Sequence, residues 1–161
     1  FLNGNEKGQT MSMNIVVHNA MLDGLVKAGE YAAAFTYFKD MEKSGYLLDV
    51  FSYSIIIHGF GSSGRAHDAL DMYKKMKKTG LRPNLVTFNT LIDVLSKAEM
   101  IFEVHEIVEE MTFLGYKPDV ITYTSLLPVV GKDSKGFRRQ NMSTTKCRFD
   151  HVLGIPLRSK S

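Results

Sequence analysis

Gly59-Phe-Gly-Ser-Ser-Gly64 is the segment whose spacing comes nearest to reaction chemistry. It is a G-x-G-x-x-G run after a strand-like stretch and before a helical one, the context in which backbone amides cradle a pyrophosphate. No alternation of strands and helices follows it, so a doubly wound nucleotide fold is not expected. The five histidines, at 18, 58, 67, 105 and 151, show no close metal-ligand spacing. The single cysteine, Cys147, excludes an intrachain disulfide framework and a cysteine zinc cage. Ser and His occur without a nucleophile elbow or a triad arrangement. Neither an enzyme, a metal nor a cofactor is expected.

The chain has 161 residues, 44% hydrophobic and 23% charged, which is one ordinary domain's worth. No run approaches the ~18 consecutive apolar residues of a spanning helix, so membrane insertion is not expected. The first residue is Phe, so the chain reads as a fragment, a processed chain or a partial gene model, with any targeting peptide upstream. The net charge of +3 is unevenly placed. Residues 1–132 hold 13 Lys and Arg against 15 Asp and Glu, whereas residues 133–161 hold 7 against 2. Basicity therefore belongs to the tail, and whole-chain charge is a poor guide to nucleic-acid binding.

The elements that organise these residues repeat. Met41, Met76 and Met111 lie 35 apart, as do Gly45, Gly80 and Gly115; Asp49, Asn84 and Asp119; and Tyr53, Phe88 and Tyr123. Leu22, Ile57, Ile92 and Leu127 keep the same step, and so do Leu25, Phe60, Leu95 and Val130. The units are 15–49, 50–84 and 85–119, with a partial fourth over 120–132. Asn14 stands where a preceding unit would end, and residues 1–14 read as its remnant or as a disordered N-terminus. Residues 133–161 break the pattern and read as a basic, disordered tail.

Each unit holds two helical patterns. Ala66, Ala69, Leu70, Tyr73 and Met76 follow helical spacing, with the run Lys74–Lys78 read as a solvated face. Gly80 then Pro83 supplies the stop, as Gly115 then Pro118 does one unit later. Val50–Ile57 and Leu85–Phe88 have strand propensity, but Tyr53, Ile56, Ile57 and Phe60 step as a helical stripe, and Phe88, Leu91, Ile92 and Leu95 repeat it. Helices are expected over 15–27, 30–44, 50–62, 65–79, 85–97, 100–114 and 120–130. Pro128 falls inside the last of these, which is expected to fray. A lone hairpin cannot bury its apolar face, so the expected fold is all-α, a right-handed solenoid of stacked helix-turn-helix repeats. The phosphate-binding reading of Gly59–Gly64 then loses force, because Gly59 and Gly64 recur from Gly24 and Gly29. The three recurring methionines are expected in the core, and His18 as a packing substitute for the aromatics at its position.

A tetratricopeptide array has a period of 34 and a Trp-Leu-Gly-Tyr signature, whereas this chain has no Trp and a period of 35. Leu85-Val-Thr-Phe-Asn-Thr-Leu-Ile-Asp-Val-Leu-Ser-Lys-Ala98, Glu109-Glu-Met-Thr-Phe-Leu-Gly-Tyr-Lys-Pro-Asp119 and Asn19–Gly29 resemble pentatricopeptide repeats. The uniform unit length is similar to the pure-repeat subclass, and the likeness covers residues 14–132. It implies sequence-specific binding of single-stranded RNA, one base per repeat, in a mitochondrion or chloroplast. By the resemblance the fifth and last residues of a unit choose the base: Asn19 with Asp49, Ser54 with Asn84, and Asn89 with Asp119, preferring U, A and U. Thr124 opens a fourth pair. The second residues, Val16, Phe51, Val86 and Ile121, would clamp the bases, and Lys27, Lys97 and Lys132 would touch phosphates. The editing deaminase of the family needs an H-x-E and a C-x-x-C, which one cysteine cannot supply. RNA processing, stability, splicing or translation, a monomeric state and other proteins of organellar RNA metabolism as partners are implied in the same way. The alternatives are a protein-binding helical scaffold and a truncated product without independent function.

Overall fold

The computed structural model describes the backbone over residues 4–132 and the side chains over 15–127. Within these bounds it is helical throughout: α1 Gly4–Lys27, α2 Tyr31–Lys43, α3 Val50–Ser62, α4 Ala66–Lys78, α5 Leu85–Lys97, α6 Ile101–Phe113 and α7 Val120–Lys132. The strand-like segments of α3 and α5 are helical because each helix buries a stripe, Tyr53, Ile56, Ile57 and Phe60 in α3 and Phe88, Leu91, Ile92 and Leu95 in α5, which outweighs a local propensity.

Two helix bounds differ from expectation by more than one residue. α1 begins at Gly4 rather than near residue 15 and passes straight through Asn14. Gly4–Met13 contains no proline and several good helix formers, so nothing in it stops a helix that the following unit already nucleates. α7 continues through Pro128 to Lys132 instead of fraying. Pro128 removes one hydrogen bond late in a thirteen-residue helix, after its first two turns are complete. The expected tail over 133–161 lies outside the described residues.

Two compact units divide the chain, Phe1–Thr87 and Phe88–Ser161. In the first, α1 lies against α2 and α3, and α3 lies against α2 and α4. Leu22, Ala34, Phe38, Met41, Tyr53, Ile57, Ala69, Tyr73 and Met76 are buried between them. Phe38 meets Tyr53 edge-on at 5.4 Å, and Phe35 stacks on Phe60 at 3.9 Å with the Arg65 guanidinium over both rings. Gly59 lets α3 lie close against α1: a Cβ there would sit 3.0 Å from a Val26 methyl. Helix packing, not pyrophosphate, therefore explains that glycine. In the second unit Phe88, Leu91, Ile92, Leu95, Val104, Val108, Met111 and Leu126 are buried. Tyr123 and Leu127 depart from their counterparts and stand exposed, because no helix after α7 covers them among the described residues.

The helices end alike. The backbone turns left-handed at Gly29, Gly45, Gly64, Gly80, Glu99 and Gly115. After five of these the next N–H bonds back to a carbonyl five residues earlier: Glu30 to Leu25, Tyr46 to Met41, Arg65 to Phe60, Met100 to Leu95 and Tyr116 to Met111, at 2.8–3.2 Å. Glu99 is the exception in residue type, with φ at 59° where its counterparts Gly29 and Gly64 have no Cβ to strain. The lysine run is not uniformly solvated: Lys75 of α4 pairs with Glu42 of α2 at 2.6 Å, while Lys74, Lys77 and Lys78 are exposed.

Two stability measurements follow from this packing. Glu99→Gly is expected to stabilise the chain by about 1 kcal/mol, read from the urea midpoint, because it relieves a left-handed Cβ. Met76→Ala is expected to cost about 2–5 kcal/mol in the same assay, since Met76 is fully buried.

Candidate nucleic-acid interface

The site begins with helix capping. The first amides of α3, α5 and α7 have no partner inside their own helices. Asp49 caps α3: its Oδ1 accepts from Ser52 N at 2.8 Å, and its own N–H donates to Ser52 Oγ at 3.2 Å, a reciprocal capping box. Asp119 does the same for α7 with Thr122, at 3.0 and 3.1 Å. Asn84 Oδ1 accepts from Thr87 N at 2.9 Å at the start of α5. The last residue of each unit is thus the N-cap of the next unit's first helix.

The same atoms reach back to the fifth residue of the unit that is ending. Asn19 Nδ2 donates to Asp49 Oδ1 at 3.0 Å, and Asn89 Nδ2 donates to Asp119 at 3.2 Å. A carboxylate only accepts, so the amide nitrogen must face it and both amide orientations are fixed by chemistry. The structure therefore brings together Asn19 with Asp49 and Asn89 with Asp119. It does not join Ser54 to Asn84 directly. Ser54 Oγ donates to Val50 O at 2.8 Å, and Thr87 Oγ1 stands 2.9 Å from both Ser54 Oγ and Asn84 Oδ1. Thr124, exposed, donates to Val120 O, and among the described residues no last-position partner faces it.

These bonds decide which atoms stay open. Asp49 Oδ1 takes the capping and amide bonds and Oδ2 takes none among the described residues. Asn19 Nδ2 spends one hydrogen on Asp49 and keeps the other. Asn84 Oδ1 is committed to Thr87, which leaves both Nδ2 hydrogens. The Asp119 carboxyl is held below the ordinary carboxylate range, first by the Thr122 backbone N–H against a weaker opposing effect of desolvation, then by the Thr122 hydroxyl and the Asn89 amide.

Beside each pair stands an uncovered apolar side chain. Val16, Phe51, Val86 and Ile121 are 65%, 62%, 58% and 60% exposed. Four apolar residues at one period, all turned to solvent, are not core. Lys27 and Lys97, in contrast, already have carboxylate partners one helical turn back, Asp23 and Asp93, the latter at 2.7 Å. Lys132 closes α7, and its side chain lies outside the described residues. His18 is half-buried, hydrogen-bonded to the Tyr37 hydroxyl and edge-on to Tyr46 at 4.5 Å. The residues missed in the sequence are Ser52, Thr87 and Thr122, all fully buried. Their 35-residue spacing, three places after Asp49, Asn84 and Asp119, is a capping-box signature that could have found them.

Comparison with known proteins bears on the repeats. A model of the PPR repeat family matches residues 13–62, 49–97 and 83–131. Among curated proteins none matches the chain. Among solved structures, the pentatricopeptide repeat protein PPR10 from maize is similar at 23% identity and a TM-score of 0.70, over 87% of this chain and 19% of that one. The crystal structure of PPR10 in complex with an 18-nt psaJ RNA element is similar at 21% identity and a TM-score of 0.68, over 87% of this chain and 22% of that one. The chain thus spans about a fifth of the length of these proteins. Its helical hairpins share the fold of their repeat solenoid. With family matches running from residue 13 to residue 131, and a 35-residue hairpin repeated in register between them, this chain belongs to the pentatricopeptide repeat (PPR) family.

Proposed function

We propose that the chain binds single-stranded RNA, one base to a repeat, with U, A and U preferred by the three complete units. The observation that carries this reading is the set of open atoms left at each pair, flanked by exposed apolar residues. At Asn19–Asp49 one N–H donor and one carboxylate acceptor remain side by side. Uracil complements them with a carbonyl and N3–H; cytosine presents an acceptor at N3, which meets the carboxylate without a proton between them. Asn89–Asp119 offers a similar arrangement, except that Asp119 Oδ2 also lies 3.4 Å from Asn89 Nδ2. At the middle pair Asn84 offers only N–H donors, which suit the N1 acceptor of adenine, while the Ser54 hydroxyl is buried and engaged with Val50 O and Thr87 Oγ1. Guanine presents N1–H and would oppose donor to donor. Val16, Phe51, Val86 and Ile121 give each base an apolar surface to lie against.

PPR10 was crystallised with an RNA element, and the shared family supports RNA as the ligand class here. The role of Lys27 and Lys97 at phosphates is secondary in this reading, since their ammonium groups are shared with Asp23 and Asp93. The setting is a mitochondrion or chloroplast, in RNA processing, stability, splicing or translation, as the family resemblance implies. Fluorescent tagging of the full gene product tests that placement, and a cytosolic signal counts against it.

Binding by this chain is expected to be micromolar or weaker. Stacking gives about 1–3 kcal/mol per base, so three bases give about 3–9 kcal/mol, against the ~8 kcal/mol of a micromolar complex. Titration of labelled oligomers containing U-A-U and of scrambled ones reads this, and equal affinity for both removes the base-reading role.

Asn84→Asp is expected to shift the middle preference from A to G by about ten-fold or more, since a mismatched polar edge costs about 1–3 kcal/mol. Aspartate keeps an oxygen for Thr87 N and replaces the outward N–H donors with an acceptor, so the cap and the fold survive. Competition between oligomers differing only at the middle base measures the shift; an unchanged preference for A assigns Asn84 to capping alone.

A further inference from the structure

A hydroxyl stands between the fifth and last residues at every junction in the structure. Ser52 Oγ lies 2.7 Å from Asn19 Oδ1 and 2.9 Å from Asp49 Oδ1. Thr122 Oγ1 lies 2.6 Å from Asn89 Oδ1 and 3.0 Å from Asp119 Oδ1. Thr87 Oγ1 lies 2.9 Å from Ser54 Oγ and 2.9 Å from Asn84 Oδ1. All three belong to fully buried residues, so a base cannot reach them directly. The position one unit earlier is Val17, which is exposed; it follows Asn14, a residue inside α1 that caps no new helix. The hydroxyl is present where a junction exists and absent where none does.

We propose that Ser52, Thr87 and Thr122 are specificity-determining positioning residues, each setting the orientation of the fifth-residue side chain in the preceding unit; this rests on the base-reading function above. A capping role alone would need only the bonds to the last residue. The contact to the fifth residue is additional, and at Asn19 and Asn89 it is the shorter one: 2.7 against 3.0 Å, and 2.6 against 3.2 Å to the carboxylate. An asparagine held at both its oxygen and its nitrogen cannot swing about either bond, so its remaining N–H points in one direction. Held only by the carboxylate, the amide pivots and its donor loses direction, which weakens discrimination more than attraction. At the middle junction Thr87 is the atom bridge between Ser54 and Asn84, which do not touch. At Ser52 and Thr122 the hydroxyl proton goes to Asn19 Oδ1 or Asn89 Oδ1 while the hydroxyl oxygen accepts the Asp49 or Asp119 N–H, which joins the last and fifth residues in one network.

The test uses the full chain with Ser52→Ala, Ser52→Thr, Thr122→Val and Asp49→Asn. Without RNA, the side-chain amide protons of Asn19 in a 15N-labelled sample are expected to be dispersed and slow to exchange. Ser52→Ala should average them and speed their exchange, with Asn89 unchanged, and Ser52→Thr should restore them. With RNA, Ser52→Ala should lower U-over-C selectivity at the first base by about five-fold, leave selectivity at the third base intact, and again be restored by threonine. Thr122→Val, which keeps the shape and removes the hydroxyl, should do the converse, and it replaces Ser52→Ala if that variant does not fold. An unchanged Asn19 amide, or a loss of affinity equal for every base, reduces the hydroxyl to a cap and overturns the proposal. Asp49→Asn separates the two ideas, since it turns an acceptor into a donor while retaining the cap. If it alters U-over-C selectivity and Ser52→Ala does not, the positioning role fails and base reading stands. If it alters nothing, base reading fails and the specificity role falls with it.

Discussion

The opening amides of a helix need acceptors from outside it, and a stack of short helices meets that need again at every unit. Here the acceptor is the last side chain of the preceding unit: Asp49, Asn84 or Asp119. That bond holds one oxygen of the residue inward, against the first turn. The atoms that face outward are those the cap does not use. A carboxylate has a second oxygen to show, and an amide has its N–H donors, so the choice between Asp and Asn changes the outward chemistry without changing the inward bond. Capping therefore fixes the geometry of the candidate site and leaves its hydrogen-bonding polarity free to vary.

Packing supplies the rest of the positioning. The buried stripes of α1 and α3 face the same core, and the fifth residues, one turn into each first helix, lie against the caps, Asn19 half-buried and Ser54 and Asn89 buried. The second residues lie on the opposite side of that stripe and stand uncovered. Recurring left-handed turns end each helix after nearly the same number of residues, which keeps successive pairs in equivalent surroundings. Where one side of that frame is missing among the described residues, as around α7, the counterparts of core residues turn outward: Tyr123 and Leu127 are exposed.

Much of this is legible in the sequence because it is periodic. Met76, Gly80 and Pro83 announce core and stop by residue type alone, and the recurring stripe settles helix over strand for Val50–Ile57, where local propensity points the other way. The start of α1 is not legible, since a helix already nucleated needs no signal to extend backward through Gly4–Met13. The run through Pro128 is not legible either, because proline weakens a helix without always ending it. The hydroxyls at Ser52, Thr87 and Thr122 escaped because serine and threonine in a first turn read as unremarkable helix starts; only the bonds to Asn19, Ser54 and Asn89 set them apart.

The shared cap also bears on how such a chain can be cut and rejoined. Division at residues 49 and 84, the ends of the periodic units, would separate Asp49 from Ser52 and Asn84 from Thr87, and each graft would place a foreign hydroxyl against a native pair. Division after Ser52 and after Thr87 carries every fifth residue, last residue and hydroxyl across together. The segment that keeps each trio of fifth residue, last residue and hydroxyl whole is thus residues 53–87 rather than 50–84, offset by one helical turn from the unit that the periodicity marks out.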